Sequence, residues 1–538
     1  VSQNLPPWQN LSLKAQIGQM IIVRASGHLF DRQIRYPAWE VSNSQLQDWL
    51  TKLNLGGVIL LGGSSAELKE RTQQLQARST IPLFIAADIE EGVGQRFPGA
   101  TWFPPLMALG EIAKNNLDLA QQYATAMGAI TAQQALAVGI NWLLAPVVDV
   151  NNNPDNPVIN IRSFGDNPQI VSHLAEAFIA GAKSHAVLTT AKHFPGHGDT
   201  ATDSHLDLPR LLHDESRLNE IELPPFETAI ESQVDSVMTA HLMILSWDKD
   251  YPATLSEKIL TDKLRKQLGF AGLIITDALI MGGITKYASS EEIAVKAIEA
   301  GNDILLMPED PQVAIESIYQ AVQTGRISQN RIEQSLDRIW QAKTKLIEHK
   351  ALTNISWNEQ LEDDRGCLLS RSILQDSWQI SGKIPLEKRA NFVGRNLIVI
   401  DDVLNCSFLD IQTPAITIPQ QWGYQRQIVD GYSMDCILND KRPTLLQIFL
   451  RGNPFRGTAG LTPTTKAIYL QLIQRQQIEG LVIYGSPYVA DWFKQNIPHD
   501  LPLIFTYGQM PEAQAIALQT LLGITNDISR EKTVNFGF

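Results

Sequence analysis

From the N-terminus to about residue 350, short runs rich in Val, Ile, Leu and Ala alternate with longer stretches in which apolar residues recur at helical spacing. Eight strand-like runs occur, at Gln19–Val23, Gly57–Leu61, Pro82–Ala87, Asn141–Asp149, Val187–Lys192, Ser236–His241, Gly272–Thr276 and Asp303–Met307. Between them lie helical patterns such as Ser44–Leu53, Ala66–Ala77, Leu117–Ala137, Pro168–Ser184, Ser216–Glu231 and Ser256–Leu268. A run that is apolar nearly throughout has no polar face for solvent, so it reads as a parallel strand covered on both sides by crossover helices. Eight β-then-α units over about 350 residues predict a (β/α)₈ TIM barrel with insertions. A doubly wound open sheet is the competing layout, but it would carry a Gly-rich phosphate turn after its first strand, and none is present.

The alternation lapses over residues 351–390, which are mixed and polar and read as a linker. Beyond it, strand-like runs at Asn396–Ile400, Leu445–Leu450, Gly480–Tyr484 and Leu503–Thr506 alternate with helical patterns at Thr464–Arg475 and Pro511–Leu522. The chain therefore divides into a barrel over 1–350, a linker over 351–390, and a smaller α/β sandwich domain over 391–538. With 44 Lys and Arg against 57 Asp and Glu, the net charge is −13, and no block of five like charges interrupts it. Such a surface repels phosphate backbones, so no nucleic-acid partner is expected. No apolar run reaches the roughly 18–20 residues of a membrane span. The opening Val1-Ser2-Gln3-Asn4-Leu5-Pro6-Pro7 has neither a basic nor an apolar signal region, which gives a cytoplasmic expectation. A periplasmic or cell-wall location is the alternative if a leader was removed. The three cysteines, Cys367, Cys406 and Cys436, have no zinc-like spacing, so no disulfide framework and no Cys-based metal site is expected.

Side chains at the C-terminal ends of barrel strands face the active-site mouth. Strand three ends in Asp88, with Glu90, Glu91 and Arg96 following; strand four ends in Asp149, and its loop carries Arg162. Strand five ends in Lys192-His193, strand six in His241 and strand seven in Thr276-Asp277. Ionisable groups at five of eight ends are hard to read as unrelated loop residues, since buried charges are costly unless paired. A ring of carboxylates and cations suits a polyhydroxylated ligand, whose hydroxyls both donate and accept. The densest stretch runs from Lys192 to His205, with three histidines, two aspartates and a lysine on a Gly-rich loop. It reads as a metal site through His193, His197 and His205, as a plain structural loop, or as an acid–base loop in which Asp203 orients His205. Metal-binding His pairs usually lie one helical turn apart on a helix, which weighs against the first reading.

Lys192-His193-Phe194-Pro195-Gly196-His197-Gly198, followed by Asp203-Ser204-His205, resembles the signature of bacterial family 3 glycoside hydrolases, in particular their β-N-acetylglucosaminidase (NagZ-type) branch in its two-domain form. Asp88-Ile89-Glu90 with Gln95-Arg96-Phe97-Pro98, Ala145-Pro146-Val147-Val148-Asp149, Arg162-Ser163-Phe164-Gly165 and Ile275-Thr276-Asp277-Ala278 resemble further segments of the family, in order, over about 350 residues. The resemblance implies a retaining β-N-acetylhexosaminidase that needs no cofactor or metal. Asp277 would be the nucleophile and His205, assisted by Asp203, the acid/base. Asp88, Arg96, Arg162, Lys192 and His193 would hold a terminal N-acetylglucosamine (GlcNAc) of peptidoglycan fragments or chito-oligosaccharides. A GlcNAc phosphorylase, a β-glucosidase of the wider family and a catalytically silent sugar-binding protein are the alternatives. Two departures stand out: the family's Gly-Gly-Arg-Val is Glu91-Gly92-Val93-Gly94 here, and its second acidic residue after the nucleophile is Ala278. The first predicts a changed turn with the sugar contacts retained.

Overall fold

The computed structural model describes residues 5–349, 357–361, 364–431, 433–452 and 459–524. Eight parallel strands form the first domain: β1 (Ile21–Ser26), β2 (Gly57–Leu61), β3 (Phe84–Ala87), β4 (Trp142–Leu143), β5 (Thr190–Phe194), β6 (Ser236–Thr239), β7 (Leu273–Thr276) and β8 (Leu305–Leu306). Ladders join β8, β1, β2, β3 and β4 in one arc, and β5, β6 and β7 in another. Parallel bridges Trp142↔Leu188 and Ile275↔Ile304 close both gaps, so the sheet curls into a barrel.

Helices α1 (Asn43–Lys52), α2 (Ser65–Ala77), α3 (Met107–Ala113), α4 (Leu117–Ala137), α5 (Pro168–Lys183), α6 (Pro224–Glu231), α7 (Lys258–Gln267, wound as a π-helix), α8 (Ser290–Ala300), α9 (Pro311–Gln323) and α10 (Gln329–His349) follow in chain order. Their starts are written locally. Ser64 and Glu67 form a reciprocal capping box at α2, and Asn167 and Asp310 cap α5 and α9 ahead of a proline at the first helical position. Strands β3, β5, β6 and β7 are buried along their whole length; β3 and β7 are apolar almost throughout, whereas β5 buries Lys192 and His193 against polar partners at the mouth. On the face opposite the mouth, the buried Lys343 of α10 donates to Gln19 Oε1 (2.7 Å) and to the carbonyls of Gly56 (3.2 Å) and Pro82 (2.7 Å), tying the last barrel helix to the chain just ahead of β1, β2 and β3.

Within 351–390 the described residues form a short helix at Trp357–Leu361, α11 (Asp364–Ser377) and β9 (Gln379–Ser381). The helix buries Leu369, Ile373 and Leu374 and packs on α3 and α4. The second domain adds β10 (Gly394–Val399), β11 (Tyr424–Val429), β12 (Thr444–Leu450), β13 (Ile478–Gly485) and β14 (Leu503–Thr506), flanked by α12 (Pro414–Gln421), α13 (Pro463–Gln474), α14 (Pro487–Asn496) and α15 (Pro511–Leu522). Its sheet runs β9-β14-β13-β12-β10-β11, with β9 antiparallel and the rest parallel. Strand β11 escapes the apolar pattern because it is an edge: its Gln425 and Arg426 are exposed, as edge strands tolerate. Among the described residues, no helix is long and apolar enough to cross a membrane.

Candidate active site

The turn after β3 places Asp88 and Glu90 two residues apart at the barrel mouth. Glu90 is fully buried and accepts Nε and Nη2 of Arg162 on one oxygen, at 3.0 and 2.7 Å. Lys192, equally buried on β5, bonds Asp88 Oδ1 at 2.8 Å and lies 3.6 Å from Glu90 Oε1. Arg96 donates to the Asp88 carbonyl at 3.2 Å. Burial works to raise the Glu90 carboxyl, but Lys192, Arg162 and Arg96 outweigh it and hold the group well below the ordinary carboxylate range. The buried charges thus compensate one another, while Asp88, with 37% of its side chain exposed, is the carboxylate that faces solvent.

Asp149, beyond β4, organises the end of β5. Its buried carboxylate accepts the backbone N–H groups of His193 (3.1 Å) and His197 (2.7 Å) and bonds His193 Nδ1 at 2.8 Å. A carboxylate only accepts, so Nδ1 carries the proton and Nε2 is the ring nitrogen His193 presents to a ligand. His197 has a different part. Its ring meets Ser204 Oγ at 2.9 Å and Thr200 Oγ1 at 2.8 Å, and burial pushes it down to about 4, leaving a neutral brace across the loop.

Asp277 follows β7 and accepts the Ala278 N–H at 2.7 Å. Burial alone would raise its carboxyl; the positive fields of His193, His241 and His205, with the Ala278 N–H, outweigh that and bring it down to about 2. At neutral pH it is therefore an anion. His241, after β6, is buried, and its Nε2 lies 3.1 Å from the Ala278 carbonyl. A carbonyl only accepts, so that nitrogen carries the proton and His241 braces the turn from behind.

The loop after β5 holds a further carboxylate–imidazole pair. Asp203 Oδ1 bonds both Nδ1 and the backbone N–H of His205, each at 2.9 Å. The loop is fastened to the turn that follows Asp277: Gly282 N donates to His205 O (3.1 Å), Gly283 N to Ser204 O (3.0 Å), and Lys286 Nζ to Leu206 O (2.6 Å). Glycine is needed at this contact, since a Cβ on Gly282 would lie 2.7 Å from His205 O and one on Gly283 2.7 Å from Ser204 O. The rings of His193, His197 and His205 point to separate partners rather than to a common metal. Among the described residues, one set of His and carboxylate atoms converges closely enough for an ion, Asp199, His213 and Glu222. Arg217 already bonds it, at 3.2 Å to Asp199 and 2.7 Å to Glu222.

Asp88, Arg96, Arg162, His193, His205 and Asp277 line one cavity of about 390 Å³, within the range of ligand pockets. Lys192 and Asp203 are buried behind them, each bonded to a residue that lines it. Sequence reasoning missed the counter-charge roles of Glu90 and Asp149, although both stand at strand ends where such residues collect. It also missed the second domain's share of the wall, which includes Asn405, Phe408, Arg451 and Gln509. Glu91, expected only to alter a turn, is fully buried; it accepts Trp102 Nε1 at 3.0 Å and pairs with Arg451 of the second domain at 2.5 and 3.2 Å.

Residues 12–342 match the model of the glycosyl hydrolase family 3 N-terminal domain, and 387–523 that of the bacterial glycosyl hydrolase family 3 C-terminal domain. Beta-hexosaminidase A of Pseudoalteromonas piscicida is 35% identical over 342 residues, 57% of this chain and 56% of that protein. The chain thus spans just over half the length of that relative. A beta-hexosaminidase of Nitrosomonas eutropha is 34% identical over 320 residues, 56% of this chain and 91% of that one. A solved family 3 β-N-acetylglucosaminidase from a Paenibacillus species superposes with a TM-score of 0.78 at 27% identity, covering 95% of this chain and 97% of its own.

Proposed function

Because the chain belongs to glycosyl hydrolase family 3, we propose that it is a retaining exo-β-N-acetylhexosaminidase acting on terminal GlcNAc of peptidoglycan fragments or chito-oligosaccharides. The observation that carries this reading is the meeting, in one cavity, of an ionised Asp277 with the His205–Asp203 pair. In the first step a carboxylate oxygen of Asp277 attacks the anomeric carbon and forms an ester. The glycosidic C–O bond breaks, and its electron pair leaves on the oxygen, which takes the proton from His205 Nε2. In the second step water adds to the anomeric carbon, His205 takes its proton, and the bond to Asp277 breaks. Most retaining enzymes use a second carboxylate about 5 Å away for the proton work. Here an imidazole does it, with Asp203 fixing the tautomer by accepting from Nδ1.

Asp88, Arg96, Arg162 and His193 surround the sugar in this reading. Lys192 acts through Asp88, which it fixes at 2.8 Å. The test is a slow-turnover 5-fluoro GlcNAc fluoride followed by peptide mass mapping. The expected adduct sits on Asp277, and Asp277→Ala loses both adduct and turnover; an adduct on any other residue refutes the assignment. His205→Ala should slow chitobiose far more than p-nitrophenyl-GlcNAc, because a good leaving group needs little protonation. The histidine acid/base also favours a second reading, transfer to phosphate, since a neutral base repels that anion less than a carboxylate would. Release of GlcNAc-1-phosphate in phosphate buffer would mark it.

A further inference from the structure

The cavity is lined by residues of both domains. Trp102 stands on the turn after β3, where Glu91 accepts its Nε1–H at 3.0 Å. Its apolar surface packs on Leu374 of α11 and on Met510 and Ala513 of the second domain, and the remainder lines the cavity. Arg451, directly after β12, reaches across the junction and forms a two-point ion pair with the same Glu91, at 2.5 and 3.2 Å. Glu91 is completely buried, and Arg451 is its ion-pair partner. The indole is thereby fixed from three sides: by a hydrogen bond at its edge, by packing from α11 and the second domain, and by the guanidinium that locks the carboxylate.

Besides the charged groups of the barrel mouth, the cavity lining holds this immobilised aromatic surface together with the polar side chains of Asn405, Ser407 and Gln509 and the carboxylates of Asp401 and Asp402. Such a pairing suits a pyranose ring, whose C–H face lies on an aromatic plane while its hydroxyls and acetamido group meet polar side chains. We infer that Trp102, held by Glu91 and Arg451, is the platform for the leaving-group sugar, so that this binding site is completed by the second domain. The inference rests on the hydrolase reading above. The residue that gives it lies in one of the two places where the sequence departs from the family pattern: a glycine at position 91 would leave Trp102 and Arg451 without their shared partner.

The experiment compares kcat/KM for N,N′-diacetylchitobiose, which presents a second sugar, with that for β-GlcNAc azide, whose leaving group has no ring. Trp102→Ala should lower the chitobiose value at least tenfold more than the azide value, and Trp102→Phe, which keeps a ring, should recover most of the difference. Glu91→Gln should shift the same ratio in the same direction, with thermal unfolding recorded for each variant to confirm a folded protein. Equal losses on both substrates, or an unchanged ratio, would overturn the platform while leaving the hydrolase reading intact. If the wild-type protein cleaves neither substrate, that reading fails and takes the platform with it.

Discussion

Gly282→Ala tests whether the Asp203–His205 loop performs its proposed acid–base role through its register on the Asp277 turn. Gly282 lies outside the left-handed backbone region, so alanine brings no φ strain and the added Cβ is the whole perturbation. That atom would sit 2.7 Å from His205 O and 3.2 Å from Leu206 O, where ordinary contact begins at 3.4 Å. The loop must therefore retreat by the difference between 3.4 and 2.7 Å, 0.7 Å, stretching the 3.1 Å bond from Gly282 N to His205 O. A misplacement of about 1 Å at a reacting group costs on the order of 100-fold, so kcat/KM for chitobiose should fall roughly 10- to 50-fold. The p-nitrophenyl glycoside, which needs little protonation, should lose no more than about threefold. Steady-state kinetics on the two substrates decide the matter. Equal losses would mean the shift reaches Asp277 or the sugar cradle, and no loss would mean the glycine contact does not set the position of His205; either result refutes the reasoning.

Glu90→Gln would leave the buried Lys192 and the half-buried Arg162 with a lost counter-charge, and should cost about 3–5 kcal/mol in urea unfolding. His197, held down to about 4 against 6.5 in the unfolded chain, binds its proton less readily when folded. Stability should thus fall as pH drops from 6.5 towards 4, by roughly 3 kcal/mol in full from this residue, and His197→Asn should flatten that part of the curve. With Asp277 down to about 2, its ionised form persists through mildly acid solution. His241→Gln removes one positive neighbour and should move the acid limb of the azide pH–rate profile upward; an unmoved limb would limit His241 to bracing the Ala278 carbonyl.

The barrel strands were legible because a strand covered on both faces can be apolar throughout, as in the Leu273–Thr276 run of β7. Strand β11 was not, since its edge position permits Gln425 and Arg426 to face solvent. The position rule for strand ends found Asp88, Lys192, His193 and Asp277, which depend on chain direction alone. Roles that need two distant segments were hidden. Glu90 looks like one more acidic loop residue until Arg162 arrives from 72 positions away, and Arg451 reaches Glu91 across 360. Local pattern cannot announce either pairing. The 351–390 stretch hid α11 because its apolar residues are diluted among polar ones and find their partners on other elements.

The Glu91–Arg451 pair also bears on how such a chain can change by descent. A deletion that removed everything beyond α10 would take Arg451 from Glu91 and Leu374, Met510 and Ala513 from Trp102, so the mouth of the remaining barrel would lose an ion-pair partner and the apolar cover of its indole at once. A free-standing barrel is therefore reached more readily if positions 91 and 102 change together. That makes the pair a ratchet: a designer wishing to separate the barrel from its companion should begin by replacing both Glu91 and Trp102.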